Sequence, residues 1–333
     1  MERVVAAVNL FDDGFRRLGA GAAYTDVSAG IASVAASPAE RAALTERVRT
    51  ALPGALGLIC APNFRVDADV LDAGPQLRVV STASVGFEHI DVAACSRRGI
   101  AVGNTPGVVV EATADIAWIL TLMLFREIPA AIDHVRNGGW GRGQALPLAH
   151  DPQGKTLGIV GLGAVGAAVA HRACASGMRL IYNNRTPRPD AGQFGAEHRS
   201  FEALLAQSDA IVVAAPLTAQ TRGLFDARAF AQMKPTAFLV NVARGGVVVT
   251  DDLVEALRAG RIAGAGLDVF EPEPIDSAHP LLGLPNVIAV PHVGTASVET
   301  RLAMVALAVD NVLAGIAGRP PPACVNPEIF AGR

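Results

Sequence analysis

Three ionisable side chains in the second half of the chain are suited to proton transfer and anion binding: Arg244 in NVARGG, Glu273 in GLDVFEPEP and His292 in VPHVGT. Histidine exchanges a proton near neutral pH, and arginine offers a carboxylate a planar fork of donors. A glutamate beside the histidine would favour the charged imidazole and keep it a competent acid. Each residue lies at or just beyond the end of a predicted strand, where α/β sheets hold their ligands. Singly, they could be a surface ion pair, a solvated carboxylate and a core histidine; together, they favour a catalytic site.

The stretch TLGIVGLGAVG, residues 156–166, has the pattern of a dinucleotide-binding turn. An apolar strand leads into Gly161, Gly163 and Gly166, and a helix-like segment follows. The first glycine permits a tight turn, the second lets backbone approach a pyrophosphate, and the third lets helix pack on strand. A second strand at residues 179–183 gives βαβ spacing. The alternative is a purely structural glycine turn.

The end of that second strand predicts which cofactor binds. An NAD site usually places an acid there, and this chain has Asn184, which does not repel a 2′-phosphate. Arg185 and Thr186 could bind the phosphate, with Arg188 adding charge at longer range. We therefore expect NADPH, with NADH bound more weakly. The alternative is that the two arginines are ordinary solvated loop residues.

Predicted strands alternate with predicted helices along the chain, which indicates parallel sheets. The expected fold is α/β, with two doubly wound parallel-sheet domains. A flavodoxin-like substrate domain comprises residues 1–104 and 293–333, and a Rossmann nucleotide domain, residues 105–292, is inserted in it. The small residues of the loop 82–87 follow a strand and could turn amides toward an anion, although a plain glycine turn is the alternative. The predicted strands are residues 3–10, 55–61, 77–81, 100–102, 157–160, 179–183, 210–215, 237–242, 263–267 and 287–290.

Composition excludes several classes of function. The chain has 333 residues, 51% hydrophobic and 18% charged, with a formal net charge of −3. These values give no reason to expect nucleic acid or an anionic membrane as partner. The four cysteines form no CxxC pair and no metal spacing, so we expect reduced, buried thiols, no metal and a cytoplasmic protein.

The residues resemble the D-isomer-specific 2-hydroxyacid dehydrogenases. Seven motifs carry the resemblance over nearly the whole chain and in the family's order: STASVGFEHID, TPGVVVEATADIAW, NGGW, TLGIVGLGAVG, NVARGG, AGLDVFEPEP and VPHVGTAS. The resemblance implies that Arg244 binds the substrate carboxylate and keto oxygen, that His292 is the acid/base and that Glu273 orients it. Glu271 is the second-ranked candidate for the orienting acid.

The resemblance also implies substrate contacts from the Val85 and Gly86 amides, a nicotinamide carboxamide partner in Asp268, and a two-fold homodimer. Thr295 completes the expected substrate-binding set, which is Val85, Gly86, Arg244, His292 and Thr295. The expected cofactor-binding residues are Gly161, Gly163, Ala164, Val165, Gly166, Asn184, Arg185, Thr186, Arg188, Pro216, Thr221, Val242, Asp268 and Gly294.

Within the family, the motifs are most similar to glyoxylate/hydroxypyruvate reductases and the related 2-ketogluconate reductases. We therefore expect reduction of a small 2-keto acid to the D-2-hydroxy acid. One departure is Gly143, where that branch often has a second tryptophan three residues after Trp140; bulkier substrates are thus an alternative. A nucleotide-sensing, corepressor-like protein without enzymatic activity is the alternative from another class.

Overall fold

The structure, a computed structural model, describes residues 2–28 and 37–331. The strands are β1 Arg3–Ala6, β2 Ala23–Asp26, β3 Gly57–Cys60, β4 Val79–Thr82, β5 Ala101–Gly103, β6 Thr156–Val160, β7 Arg179–Asn183, β8 Ala196–His198, β9 Ala210–Val213, β10 Phe238–Asn241, β11 Gly264–Leu267 and β12 Val287–Ala289. The helices are α1 Phe11–Gly21, α2 Pro38–Ala51, α3 Ala68–Ala73, α4 Val92–Arg97, α5 Val110–Phe125, α6 Ile128–Arg136, α7 Ala164–Ala175, α8 Phe201–Gln207, α9 Ala227–Gln232, α10 Thr250–Arg258 and α11 Val298–Ile316.

The chain divides into two compact units. One is formed by Met1–Val109 and Ala296–Arg333, and the other by Val110–Thr295. In sequence, the second unit is therefore inserted between the two segments of the first.

The discontinuous unit is built on a parallel sheet with the strand order β2-β1-β3-β4-β5. This is the flavodoxin-like order of doubly wound sheets. Alternate side chains of each strand enter different cores, because successive residues of a strand point to opposite faces. Val4 and Ile59 pack in one core with α1 and α11, whereas Val5 and Leu58 pack in another with α2, α3 and α4.

The inserted unit has a longer parallel sheet, with the order β12-β11-β10-β9-β6-β7-β8. Counted from β6, this is the Rossmann order 3-2-1-4-5-6 with β12 added at one edge. Ile159 and Val212 face a core shared with α5 and α7, and Val160 and Val213 face one shared with α8, α9 and α10. The predicted fold class is confirmed.

Several local predictions are also tested. The sequence Ser37-Pro38-Ala39-Glu40 predicts a capping box at the start of a helix. It is confirmed at the start of α2, since the Glu40 amide donates to Ser37 Oγ and the Ser37 amide to Glu40 Oε2. The first strand is shorter than the predicted residues 3–10, because an apolar run does not distinguish a strand from a buried connection and Leu10 is buried in a loop. Thr250 directly before Asp251 and Asp252 predicts a threonine N-cap, which is wrong: Thr250 is the first residue of α10, and no side-chain cap precedes it.

The four thiols are free, but they do not share one environment. Cys60 and Cys95 are buried, and burial raises the pKa of each thiol to about 12. The expectation of a buried thiol is wrong for Cys174, which is exposed. Within the described residues, no helix is long and apolar enough to cross a membrane, and no group of His, Cys, Asp or Glu side chains could hold a metal ion.

Candidate active site

A histidine–glutamate pair lies beyond the carboxyl ends of two neighbouring strands of the inserted unit. His292 Nδ1 is 2.8 Å from Glu273 Oε2, and the Phe270 amide donates to Glu273 Oε1 at 2.7 Å. Because a carboxylate only accepts, Nδ1 carries a hydrogen and Nε2 is left for a reacting group. The side chains are 35% and 30% exposed, so both are reachable by a small molecule.

The electrostatics keep this carboxylate ionised. Burial alone would raise the pKa of the Glu273 carboxyl. The hydrogen bonds from His292 and the Phe270 amide, together with the charges of His292 and Arg244, instead hold that pKa below its ordinary value. An ionised Glu273 is the partner that favours a protonated imidazole.

Asp268 holds the loop that presents His292. Its carboxylate accepts the amides of Val293 at 2.6 Å and Gly294 at 2.9 Å, and it is 1% exposed. Burial raises the pKa of Asp268, against the lowering effect of these two hydrogen bonds. His292 itself has φ +53°, an uncommon conformation for a residue with a Cβ. The two carboxylate contacts therefore stabilise a backbone that the sequence alone would disfavour.

Arg244 is placed by the side chain of Asn241, the last residue of strand β10. Asn241 Nδ2 donates to the Arg244 carbonyl at 3.0 Å, and Asn241 Oδ1 accepts the Ala243 amide at 3.1 Å. Asn241 is 1% exposed, so the turn carrying Arg244 is fixed from inside the protein. The charge of Arg244 contributes to the lowered pKa of Glu273, which brings all three predicted catalytic groups into one electrostatic environment.

The structure distinguishes the two candidate glutamates. Glu273 contacts His292, whereas Glu271 forms an ion pair with Arg222 at 2.9 Å. Glu271 thus has a different partner from Glu273.

The glycine turn has the shape needed for a pyrophosphate. Gly161 has φ +96°, and a Cβ there would lie 2.6 Å from the Ala215 amide nitrogen. A Cβ on Gly163 would meet nothing within 4 Å, so the space in front of the start of α7 is open to a ligand. The amides of Ala164 and Val165 precede any intrahelical partner and face the same end of the helix. These residues fit a dinucleotide, whose phosphates favour such amides.

The residues predicted to bind the 2′-phosphate differ in the hydrogen bonds that their side chains form within the protein. Asn184 Oδ1 accepts the Leu162 amide at 2.7 Å, which ties the end of β7 to the glycine turn. Arg185 and Thr186 are exposed, and among residues 2–28 and 37–331 their side chains have no polar partner. The guanidinium of Arg188 is bound by the Asp190 carboxylate and by the carbonyls of Leu162 and Gly163.

The remaining predicted cofactor residues follow β9 and β10. Thr221 Oγ1 donates to the Pro216 carbonyl at 2.6 Å and closes the loop after β9, while Val242 is buried directly after β10. Thr295 is half-buried three residues after His292. These residues lie at the carboxyl edge of the sheet, as the sequence predicts.

The predicted substrate loop belongs to the other unit. The Ser84, Val85 and Gly86 carbonyls each accept a hydrogen bond, from the Thr105 amide, Asn104 Nδ2 and Ser84 Oγ respectively. Among the described residues, the Val85 and Gly86 amides have no acceptor. This is the arrangement expected for amides that receive an anion.

Residues 118–294 match the D-isomer specific 2-hydroxyacid dehydrogenase, NAD binding domain. The human glyoxylate reductase/hydroxypyruvate reductase is 46% identical over 273 residues, which cover 81% of this chain and 83% of the human protein. The chain belongs to the D-isomer specific 2-hydroxyacid dehydrogenase family. As a D-2-hydroxyacid dehydrogenase, it is an oxidoreductase with a domain that binds a nicotinamide cofactor.

Another curated relative and two solved structures are similar to this dehydrogenase over most of its length. The glyoxylate reductase of Thermococcus gammatolerans is 45% identical over 278 residues, covering 82% of this chain and 83% of the relative. The crystal structure of the TT0316 protein from Thermus thermophilus has a TM-score of 0.87 at 39% identity, covering 97% and 99% of the two chains. An NADPH-dependent glyoxylate/hydroxypyruvate reductase from Sinorhizobium meliloti, solved with NADP and malonate, has a TM-score of 0.82 at 33% identity, covering 97% and 96%.

Sequence reasoning missed three residues that support the predicted site of this dehydrogenase: Asn104, Asn241 and Asp190. Asn241 opens the motif NVARGG, where an asparagine at a strand end signals a side-chain-supported turn. Asp190 stands two residues after Arg188, a spacing that could have suggested their ion pair. Asn104 stands before Thr105-Pro106, and nothing in the sequence indicates its partner.

Proposed function

We propose that this dehydrogenase reduces a small 2-keto acid, of the glyoxylate or hydroxypyruvate type, to the D-2-hydroxy acid with NADPH. The observation that carries the proposal is the 2.8 Å contact of His292 Nδ1 with Glu273 Oε2, under the charge of Arg244. The named activities of the human and Thermococcus relatives support the same substrate class.

The chain's own groups have distinct roles in this reaction. When bound, the nicotinamide cofactor supplies the hydride that adds to the keto carbon. His292 donates its Nε2 proton to the keto oxygen, and Glu273 orients the ring and stabilises its charged form. Arg244 binds the carboxylate and stabilises negative charge developing on the oxygen. Carbonyl, hydride and proton together give the alcohol, and the neutral His292 regains a proton from solvent.

The preference for NADPH is supported by the loop after β7. Asn184 takes the place of an acid that would repel the 2′-phosphate, and Arg185 offers an exposed guanidinium. Asp190 neutralises much of the charge of Arg188, so Arg188 contributes mainly by holding the glycine turn. Arg185 and Thr186 are therefore the proposed phosphate ligands. Asp268 and the predicted residues of the turn would hold the rest of the cofactor.

A second candidate substrate class is the bulkier 2-keto acids, including 2-ketogluconate. Gly143 has φ +70°, and a Cβ there would meet nothing within 4 Å. A tryptophan at this position would adopt a backbone that residues with side chains disfavour. Glycine therefore fits the local turn, and the space a second tryptophan would fill is left open.

The proposed assembly is a homodimer. Helix α6 exposes Ile128, Ile132 and Val135, which line an open apolar cavity of about 430 Å³, and Trp140 is 75% exposed. A contiguous exposed apolar surface of this kind marks an interaction site.

We further propose that the discontinuous unit is the substrate domain. We also propose that the enzyme works in the cytoplasm, where free thiols persist.

A panel of 2-keto acids assayed with NADPH and NADH tests the function. Glyoxylate, hydroxypyruvate, phenylpyruvate and 2-ketogluconate span the relevant sizes, and His292→Ala is the matched inactive control. We expect the highest kcat/KM with hydroxypyruvate or glyoxylate and NADPH. Preference for 2-ketogluconate would support the second candidate, and no turnover with any keto acid would contradict enzymatic reduction.

A further inference from the structure

The carbonyls of Ser84 and Val85 are bound by two different donors, and these donors fix the direction of the Val85 and Gly86 amides that follow. In a trans peptide, the C=O of one residue and the N–H of the next point in opposite directions. The Thr105 amide, at 2.9 Å from the Ser84 carbonyl, therefore directs the Val85 amide away from the protein. Asn104 Nδ2, at 2.8 Å from the Val85 carbonyl, directs the Gly86 amide in the same way.

The backbone amide and the carbonyl of Asn104 are both hydrogen-bonded within the protein. Its amide donates to the Ala323 carbonyl at 3.2 Å, and its carbonyl accepts Asn311 Nδ2 at 2.8 Å. Asn311 lies on α11, is 0% exposed, and accepts the Ala323 amide at 3.0 Å. A Cβ on Gly103 would lie 2.8 Å from Asn311, so glycine is needed for this close approach. The C-terminal helix and tail thus fix the backbone of Asn104.

We infer that Asn104 is a positioning residue that directs the Gly86 amide toward the carboxylate of the 2-keto acid. The inference rests on the proposed function, since it assumes that the Val85 and Gly86 amides bind that carboxylate. The observation behind the inference is that, among the described residues, Asn104 Nδ2 is the single side-chain donor to the Val85 carbonyl. Without that donor, the peptide between Val85 and Gly86 is free to rotate, because Gly86 has no Cβ to restrict it.

The test compares Asn104→Ala with Ser84→Ala in steady-state kinetics. Ser84 Oγ donates to the Gly86 carbonyl at 2.6 Å and is hydrogen-bonded to Thr82 Oγ1 at 2.8 Å. Its loss removes two side-chain hydrogen bonds from the loop but leaves the Val85 carbonyl bound to Asn104. For Asn104→Ala, we expect the KM of the keto acid to rise about fivefold, the ratio for a net hydrogen bond of about 1 kcal/mol. The kcat and the KM of NADPH should change less than about twofold, as should every constant of Ser84→Ala.

Calorimetric binding of oxamate to the NADP⁺-loaded enzyme gives a readout independent of turnover, because oxamate carries the carboxylate but accepts no hydride. Its Kd should rise with the KM in Asn104→Ala. If the wild type is active and Asn104→Ala leaves the keto-acid KM and the oxamate Kd unchanged, the inference is overturned. An equal rise of both constants in Ser84→Ala also overturns it, because that result would indicate general destabilisation of the loop. A wild type without keto-acid reduction would instead contradict the proposed function.

Discussion

His292 Nδ1 and Glu273 Oε2 lie 2.8 Å apart, although the two residues come from different loops of the inserted unit. The contact fixes the hydrogen on Nδ1, because the carboxylate can only accept. It also exposes Nε2 as the proton-donating atom of the ring. The proposed acid–base chemistry follows from this one relationship.

Replacement of the two substrate-facing groups should separate binding from proton transfer. In His292→Ala, the loss of the general acid should lower kcat by about 10²–10⁴-fold. In Arg244→Ala, the KM of the keto acid should rise as well, because carboxylate binding is lost with the guanidinium. Steady-state kinetics at saturating NADPH measure both effects. Turnover of His292→Ala near the wild-type rate would contradict the mechanism.

The pH profile should report the Glu273 carboxylate. In Glu273→Gln, the carboxylate that orients the ring is lost, so the acid limb of the kcat profile, where that carboxylate becomes protonated in the wild type, should be absent. At neutral pH, kcat should fall at least about tenfold, or about 1.4 kcal/mol. The lowered pKa of Glu273 means that the wild-type pair persists until the pH falls below the ordinary range of glutamate. Glu271→Gln is the matched control and should keep the wild-type profile.

Cofactor choice should depend on Arg185 more selectively than on Arg188. In Arg185→Ala, the KM of NADPH should rise about tenfold or more, from a charged hydrogen bond of about 1.5 to 3 kcal/mol, while that of NADH should hardly change. Arg188→Ala should raise both KM values, because Arg188 binds the carbonyls of the glycine turn. Equal effects of Arg185→Ala on both cofactors, or a wild-type preference for NADH, would refute the proposed phosphate contact.

Light scattering at assay concentration should give twice the 34.3 kDa mass of one chain. Ile132→Asp places a charge in the apolar cavity of α6 and should shift the mass toward the monomer. Leu282→Asp, at a residue 37% exposed elsewhere in the same unit, should leave the mass unchanged. A monomeric wild type would contradict the dimer.

Asp209 should contribute stability that is lost in acid. Its carboxylate binds the Thr156 amide and Lys234 Nζ, each at 2.8 Å. Burial alone would raise the pKa of Asp209. These two partners lower that pKa by more than burial raises it, so it lies below its ordinary value. In Asp209→Asn, the free energy of unfolding at pH 7 should fall by about 1–3 kcal/mol.

A carboxylate whose pKa is lowered in the folded state stabilises the folded protein at pH values above its pKa in the unfolded chain, about 3.9. That contribution is lost as the pH falls through its pKa in the folded state. The difference between wild type and Asp209→Asn should therefore shrink below about pH 4. Urea titrations at several pH values measure it. Asp72→Asn, whose pair with Arg98 is largely exposed, should cost under about 0.5 kcal/mol. A pH-independent difference for Asp209→Asn would contradict the assignment.

The sequence by itself determined the βα alternation, the glycine turn and the candidate catalytic residues. These features are local: strand and helix periods, glycine spacing and the position just after a strand are all readable over a few residues. The flavodoxin-like and Rossmann orders follow from that alternation together with the family resemblance. The predicted first strand, residues 3–10, is longer than β1, because an apolar run alone does not show where strand pairing stops.

Only the tertiary structure decided which polar groups meet. Glu271 and Glu273 are two residues apart in one motif. In the folded turn, Glu273 contacts His292, whereas Glu271 forms an ion pair with Arg222. Asn104 reaches the Val85 carbonyl across 19 residues and is held by Asn311 across 207. Such contacts depend on the order of strands in the sheet and on how the last helix packs against it. No local period of the sequence encodes them, because a hydrogen bond requires atoms within about 3 Å in space rather than along the chain.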